Sequence, residues 1–107
     1  MNNPWMKSIT IPAANTNVNL LTRMQVVDPD APKLVDKLQI QYDPENTVGV
    51  FLRVGNSDVA ASVMGAKLMV GQAVTFEPTG LNSLHLSQFT LRSDAAAQQL
   101  NIIALVR

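Results

Sequence analysis

Apolar and polar residues alternate most regularly within residues 34–55, and this alternation predicts two β-strands. Apolar side chains occupy every second position from Leu38 to Tyr42 and again from Val48 to Val54. A period of two is typical of a strand with one buried face, because successive side chains leave a strand on opposite sides. Between the two runs, residues 43–47 (Asp-Pro-Glu-Asn-Thr) form a turn by composition. The stretch therefore predicts a β-hairpin, or at least two sequential antiparallel strands.

The N-terminal residues carry a similar pattern. Residues 5–11 place four side chains on one face and three on the other: Trp5, Lys7, Ile9 and Ile11 against Met6, Ser8 and Thr10. The pattern predicts a strand through Ile11 that ends at Pro12, because proline cannot donate to a strand ladder. We expect residues 1–12 to form an N-terminal arm or an edge strand.

The next segments give weaker signals. Alternation from Val18 predicts a second strand that continues toward Val27. Residues 28–32 (Asp-Pro-Asp-Ala-Pro) predict a bend or an extended connection, since two prolines exclude a helix. Residues 55–58 predict a turn, and residues 59–66 fit either a short helical turn or an irregular connection.

The C-terminal third reads as short strands over residues 74–77, 84–86 and 89–92. Residues 94–99 fit either one helical turn capped by Asp94 or a loop between antiparallel strands. The last run, residues 100–106, is apolar on both of its faces. It therefore predicts a central or covered strand, and the second cover could be another subunit.

Together these patterns predict seven to eight short strands with a turn about every ten residues, the signature of a β-sandwich or a small barrel. A chain of 107 residues is long enough for one domain with a single core. We therefore predict an all-β fold, a single antiparallel β-sandwich or jelly-roll-like domain over residues 1–107.

Composition adds a constraint on the surface. Only 15% of the residues are charged and 47% are hydrophobic, so much of the exterior is neutral. Such a surface on a small domain favours coverage by copies of the same chain or by a larger partner. The formal net charge is zero, and the eight basic residues are scattered with no basic stripe along the sequence. We therefore expect no binding to nucleic acid, which depends on clustered cations.

Two further features of the sequence bear on where the protein is made and on whether it contacts a membrane. The chain has no cysteine, so disulfides and thiolate-metal sites are excluded. The N-terminus lacks the basic start and apolar run of a signal peptide, and no stretch approaches the length of a membrane span. We expect synthesis in a cytoplasm and no membrane partner.

Candidate chemistry is sparse. His85 is the only histidine, whereas an imidazole metal site needs at least two or three. Two carboxylate pairs, Asp28 with Asp30 and Asp43 with Glu45, flank prolines in turns, where aspartate serves turn geometry. No serine has a base and a third group in a recognisable pattern. We predict no catalytic residue, no metal ligand and no cofactor, and hence no enzyme.

Contact residues are the remaining functional candidates. If Val50 and Leu52 face the core, Phe51 points outward on the same face as Arg53. An exposed aromatic ring beside arginine is typical of interface centres; the alternative is a second buried face. We predict three contact residues: Trp5, Met6 and Phe51.

The middle of the chain carries a characteristic succession of predicted strands and turns. It consists of residues 38–47 (Leu-Gln-Ile-Gln-Tyr-Asp-Pro-Glu-Asn-Thr), then residues 50–62 (Val-Phe-Leu-Arg-Val-Gly-Asn-Ser-Asp-Val-Ala-Ala-Ser). Gly65 and Leu68 follow, then residues 70–76 (Val-Gly-Gln-Ala-Val-Thr-Phe) and 81–86 (Leu-Asn-Ser-Leu-His-Leu). With the terminal apolar strand it covers about two thirds of the chain. The arrangement resembles small β-sandwich structural proteins of tailed-phage virions, of the capsid cement or decoration type.

The resemblance implies a non-enzymatic virion component with no catalytic residues. We expect a capsid cement protein that stabilises the shell through self-association, with a trimer favoured, and through contacts with the major capsid protein. It would be made in the host bacterial cytoplasm and reside in the virion. The alternatives are a head-to-tail or tail component of the virion and a carbohydrate-binding or adhesive β-sandwich module.

Overall fold

Strands dominate the computed structural model, which describes residues 3–56, 66–78 and 83–106. The described residues form nine strands: β1 Asn3–Ile11, β2 Val18–Asn19, β3 Leu34–Tyr42, β4 Phe51–Gly55, β5 Ala66–Met69, β6 Ala73–Phe76, β7 Leu84–His85, β8 Thr90–Ser93 and β9 Gln98–Val106. One helix, α1 (Leu20–Val27), follows β2, and a 3₁₀ turn, Leu86–Gln88, follows β7.

The strands form two antiparallel sheets that pack together. The first sheet has the order β1-β9-β3-β6, and β7 pairs with the beginning of β3. The second sheet has the order β2-β8-β4-β5. The buried side chains of both sheets belong to one apolar cluster between them. The prediction of an all-β antiparallel sandwich is therefore confirmed.

The last strand is central, as its two apolar faces predict. β9 lies between β1 and β3, and its inward side chains Leu100, Ile102 and Ala104 are buried. Ile103 and Leu105 point to the other face of the sheet and are half-buried. This strand therefore contributes to the core on one face and to an apolar surface on the other.

The predicted hairpin between β3 and β4 is wrong. β3 pairs with β9 and β6 in the first sheet, whereas β4 pairs with β8 and β5 in the second. Residues 43–50 therefore cross from one sheet to the other. Both sides of β3 are already occupied, and the Asn46 side-chain amide bonds the backbone of Gln99 in both directions at 2.8 Å, which holds the crossing segment against β9. Gly49, at φ +92°, supplies a left-handed turn, and Val48 is 92% exposed, so β4 begins only at Phe51.

A strand begins at Val18 as predicted, but its continuation toward Val27 is wrong, because after two residues the chain becomes α1. The Asn19 side chain accepts a hydrogen bond from the Thr22 backbone N–H at 3.1 Å and thereby caps the helix. Leu20, Leu21 and Met24 are buried. A helix of eight residues has only about two turns, so its pattern of apolar residues is too short to be distinguished from that of a strand.

The N-terminal strand is at an edge of the first sheet. β1 pairs with β9 over its full length, from Asn3 opposite Val106 to Ile11 opposite Gln98. Pro4 is tolerated here because an edge strand has one side on which an N–H is not required. The faces are as predicted, with Ile9 and Ile11 buried.

The remaining predictions have mixed outcomes. Residues 94–97 form turns rather than a helical turn, and they join β8 and β9, which belong to different sheets and do not pair as a hairpin. Residues 57–65 and 79–82 lie outside the described residues, and with them half of the predicted turn at 55–58 and all but Ala66 of the helix-or-loop segment at 59–66. Within the described residues, no helix has the length and apolar character needed to span a membrane.

Candidate functional site

The three predicted contact residues lie in three different environments, so the structure does not bring them together. Trp5 is in the core, with 8% of its surface exposed. Met6, the next residue on β1, is 62% exposed on the outer face of the first sheet. Phe51 is half-buried on the outer face of the second sheet, on the opposite side of the sandwich.

Trp5 holds β1 to the segment that follows α1. Its indole N–H donates to Asp28 Oδ2 at 2.9 Å, and the Asp30 backbone N–H donates to Asp28 Oδ1 at 3.0 Å. These two hydrogen bonds, together with the charge of Lys7 at 3.8 Å, keep the pKa of Asp28 below its ordinary value. Trp5 is therefore a core side chain of its own domain, and little of its ring remains for a partner to contact.

The outer face of the first sheet contains a polar row across three strands. Ser8 Oγ donates to Asn101 Oδ1 at 2.7 Å, and Asn101 Nδ2 donates to Gln41 Oε1 at 3.0 Å. Gln41 Nε2 then reaches the Gly71 carbonyl at 3.4 Å. The side chains of Ser8, Asn101 and Gln41 thus form hydrogen bonds with one another, and this polar row borders the neighbouring part of the outer face.

Beside the polar row lies an apolar patch, defined here as Pro4, Met6, Ile103 and Leu105. Met6 is directly opposite Ile103 in the register of β1 and β9, and Pro4 is opposite Leu105. Next to Leu105, Lys37 on β3 forms a 3.3 Å ion pair with Glu77. The patch is therefore apolar, has an ion pair of zero net charge beside it, and adjoins the outer edge of β1, which pairs with no further strand among the described residues.

The outer face of the second sheet is different, because three cations meet on it. Arg53 on β4 is directly opposite Lys67 on β5 and directly opposite Arg92 on β8. We call Lys67, Arg53 and Arg92 the cationic row. Neighbouring strands are about 4.8 Å apart, so the backbone positions of the row span roughly 10 Å. The expectation of scattered basic residues with no stripe is thus corrected, since strand register brings together residues that are far apart in sequence.

Phe51 lies against this row. Its ring centroid is 4.8 Å from Lys67 Nζ and 5.7 Å from Arg53 Cζ, within the range of cation–π contacts. The Phe51 backbone N–H donates to Asp94 Oδ1 at 2.8 Å. Leu52 is buried on the opposite face of the strand. The predicted outward orientation of Phe51 beside Arg53 is therefore confirmed.

A shallow cavity of about 240 Å³ lies at one end of the sandwich, lined by Asp43, Glu45, Asn46, Thr47, Ala97, Gln98 and Gln99. Its polar groups are used internally. Gln98 Oε1 accepts from the Thr47 N–H at 2.9 Å, and Asp43 Oδ1 accepts from the Glu45 N–H at 2.8 Å. The Asp43 carboxylate serves turn geometry, as predicted, and Glu45 contributes its backbone N–H to the same turn.

The remaining candidate residues also show no arrangement for catalysis or metal binding in the described part of the chain. His85 is exposed at the end of β7, as its position between two leucines predicts. Phe76 and Phe89 meet edge to face, with their ring centroids 5.0 Å apart, and pack against the core. Among the described residues, no three His, Cys, Asp or Glu side chains are grouped so that they could hold a metal ion.

Tyr42 connects the two sheets through a hydrogen bond in the core. Its hydroxyl lies 2.7 Å from Ser93 Oγ on β8, and both residues are fully buried. Burial raises the pKa of the Tyr42 phenol above its ordinary value, the charge of Asp94 acts in the same direction, and the hydrogen bond to Ser93 acts against both.

Because the pKa of Tyr42 is raised in the folded chain, we expect stability to fall at alkaline pH. Below pH 10.0, the ordinary pKa, tyrosine is neutral in both states and its contribution is complete. Above that value the unfolded chain ionises first, so the free energy of unfolding decreases as pH rises toward the folded pKa. Tyr42 is the only tyrosine, so tyrosinate absorbance reports this group alone. Tyr42→Phe should lack this part of the alkaline loss; an identical alkaline loss in the variant would contradict the assignment.

Comparison with known proteins adds no family. The sequence matches no protein-family model, and a search of curated proteins finds no significant relative. The class of protein that the fold defines is thus an antiparallel β-sandwich, with an apolar patch on one outer face and a cationic row on the other.

Proposed function

We propose that this chain is a non-enzymatic structural subunit of a phage particle, a capsid cement protein that self-associates and binds the major capsid protein. It would be made in the host bacterial cytoplasm and function in the virion, with a trimer as the favoured oligomer. The resemblance of residues 38–86 to virion β-sandwiches supports this proposal. The structural observation that carries it is the apolar patch beside β1, the edge strand of the first sheet among the described residues.

The charges of the two outer faces favour self-association through the first sheet. Copies of one chain bring identical charges together, so a neutral surface suits contact between copies. The first sheet offers the apolar patch and the Lys37–Glu77 ion pair, whereas the second sheet presents the cationic row. The patch also continues directly into β1, whose outer edge can pair with a strand of another copy.

Sedimentation velocity tests this part of the proposal. We expect the unaltered chain to sediment as a small oligomer with a mass that is a multiple of 11.6 kDa. Met6→Asp places a charge in the patch and should weaken association by about tenfold or more, a difference of about 1.4 kcal/mol. Thr10→Asp is the matched control, because it puts the same charge on the same face of β1 outside the patch.

Two results would contradict self-association through the patch. The first is an unaltered chain that remains monomeric over the whole concentration range. The second is an equal loss of association in Met6→Asp and Thr10→Asp, because the charge itself would then matter more than its position.

A head-to-tail or tail component of the virion would use the same surfaces, and its copy number in the particle distinguishes it from a cement protein. A carbohydrate-binding or adhesive module is less favoured by the geometry. Stacking on sugars needs exposed aromatic faces, but Trp5 is in the core and Phe51 lies against cations.

A further inference from the structure

We propose that the cationic row, together with Phe51, is a docking surface for an acidic segment of a different protein. The inference deepens the proposed function and rests on it only in taking that protein to be another virion subunit. It assigns the two outer faces of the sandwich to two kinds of partner, copies of this chain on the first sheet and an acidic protein segment on the second.

The cationic row lowers the stability of the second sheet, because it places like charges next to one another. Like charges directly opposite each other on neighbouring strands destabilise a sheet. Here Arg53 faces a cation on both sides, Lys67 on β5 and Arg92 on β8. In a chain with eight basic and eight acidic residues, three of the cations are therefore concentrated on one face. An anionic partner that binds only the folded chain offsets this repulsion.

Two cations of the row, Lys67 and Arg92, have contacts that position their side chains. Lys67 Nζ is held 4.8 Å from the Phe51 ring centroid, and Arg92 Nη1 donates to Asn17 Oδ1 at 3.1 Å. In the described part of the chain, neither Lys67 nor Arg92 forms a salt bridge with a carboxylate. Lys67 and Arg92 are thus positioned by contacts with groups other than the carboxylates of the described residues. Arginine can bind a carboxylate through two parallel hydrogen bonds.

The apolar neighbours of the row favour a protein partner. Met69 is directly opposite Phe51 and is 37% exposed, so an aromatic ring and a thioether lie beside the charges. Aromatic residues, methionine and arginine are the residues enriched in protein interfaces. The row spans roughly 10 Å, which corresponds to about three residues of an extended chain. Acidic side chains interspersed with small apolar ones would match this surface.

Nucleic acid fits the same surface less well. Strong binding to the phosphate backbone uses about six to ten cationic contacts, and the row supplies three. The chain has no net positive charge that would attract a polyanion from a distance. Beside the row lies one aromatic ring, that of Phe51, whereas single-stranded nucleic acid is bound by stacking successive bases on several aromatic side chains.

The test is a binding titration of the full chain with a peptide of about twelve residues in which glutamate and alanine alternate, followed by fluorescence anisotropy at low salt. A peptide with glutamine in place of glutamate and a single-stranded DNA of the same length are the comparison probes. We expect the glutamate peptide to bind and the glutamine peptide not to bind. Binding should weaken as salt approaches about 0.15 M, because the contacts lie at the surface.

The variant that tests the location is Lys67→Gln with Arg92→Gln. It removes two charges from the row and leaves Arg53 in place. We expect it to bind the glutamate peptide at least about tenfold more weakly. Lys33→Gln combined with Arg23→Gln is the control, because it removes the same two charges at positions outside the cationic row and outside the apolar patch with its neighbouring ion pair. Thermal unfolding should show the row variant to be as stable as the unaltered chain or more so, because repulsion is removed.

Each contrary outcome is informative. Absence of glutamate-peptide binding, or equal weakening in the row variant and the control, would overturn the inference. Tighter binding of the DNA than of the glutamate peptide would overturn it in favour of a nucleic-acid surface. Failure here leaves the oligomer and its place in the particle unaffected. Conversely, peptide binding by a chain that is absent from particles would retain the docking surface and reject the virion proposal.

Discussion

Replacing Ile102 with alanine is expected to lower the free energy of unfolding by about 2–5 kcal/mol. Ile102 lies on the central strand β9, faces the core and is 1% exposed, so the truncation leaves a cavity between the sheets. Urea denaturation followed by Trp5 fluorescence measures the loss, since Trp5 is the only tryptophan and is buried. The measurement belongs at a concentration at which the chain is monomeric, because association would add its own stabilisation.

Ile103→Ala is the matched control for this prediction. Ile103 is the neighbouring residue on the same strand, points to the outer face and is half-buried. Its truncation should cost about 1 kcal/mol in the monomer. Equal losses at the two positions would contradict the assignment of one core face and one surface face to β9.

Trp5→Ala is expected to have an effect of similar size, about 3–5 kcal/mol. The substitution removes a large buried ring and the indole N–H that donates to Asp28. Trp5→Phe should lose less, because most of the ring volume is kept while the hydrogen bond is lost. Circular dichroism is the appropriate probe, since these variants lack the fluorescent residue.

Met6→Ala separates core from contact residues on β1. Met6 is 62% exposed, so its truncation should change the stability of the monomer by less than about 0.5 kcal/mol while it weakens association. A large loss of monomer stability in Met6→Ala, or a small loss in Trp5→Ala, would reverse the roles that the structure gives to these two neighbours.

The strands and their faces could be predicted from the sequence where alternation is long. The pattern in residues 5–11 divides β1 into its two faces, and the doubly apolar run at residues 100–106 identifies the central strand. These predictions succeed because a strand imposes its period of two on the sequence, whatever its partners are.

Pairing could not be predicted in the same way. The alternation of apolar and polar residues indicates which side chains of a strand share a face, but it does not indicate which sheet the strand joins. The turn after Tyr42 therefore appeared to close a hairpin, whereas the chain crosses to the second sheet. The decisive interactions, such as the Asn46 amide on the backbone of Gln99, connect residues 53 positions apart. Helix α1 was missed because eight residues carry too little periodicity, although Asn19 is a recognisable helix cap.

The candidate surfaces were only partly visible in the sequence. Strand parity identified Phe51 as an outward residue, and it lies on an outer face. Met6 and Trp5 were both predicted as contact residues, but only Met6 lies on an outer face. The cationic row was missed because Arg53, Lys67 and Arg92 become neighbours only through the register of three strands. An outward position on each of the three strands was the one available signal. Without the order of the strands, it could not distinguish a row from three separate charges.

We propose that this chain coats a phage shell, and its copy number in purified particles is the first quantity to measure. Quantitative mass spectrometry of the particles would compare the amount of this chain with that of the major capsid protein. We expect amounts of the same order, because a cement protein occupies repeated positions on the shell. A few copies per particle would assign the chain to the neck or tail instead, and complete absence from the particles would contradict the virion proposal.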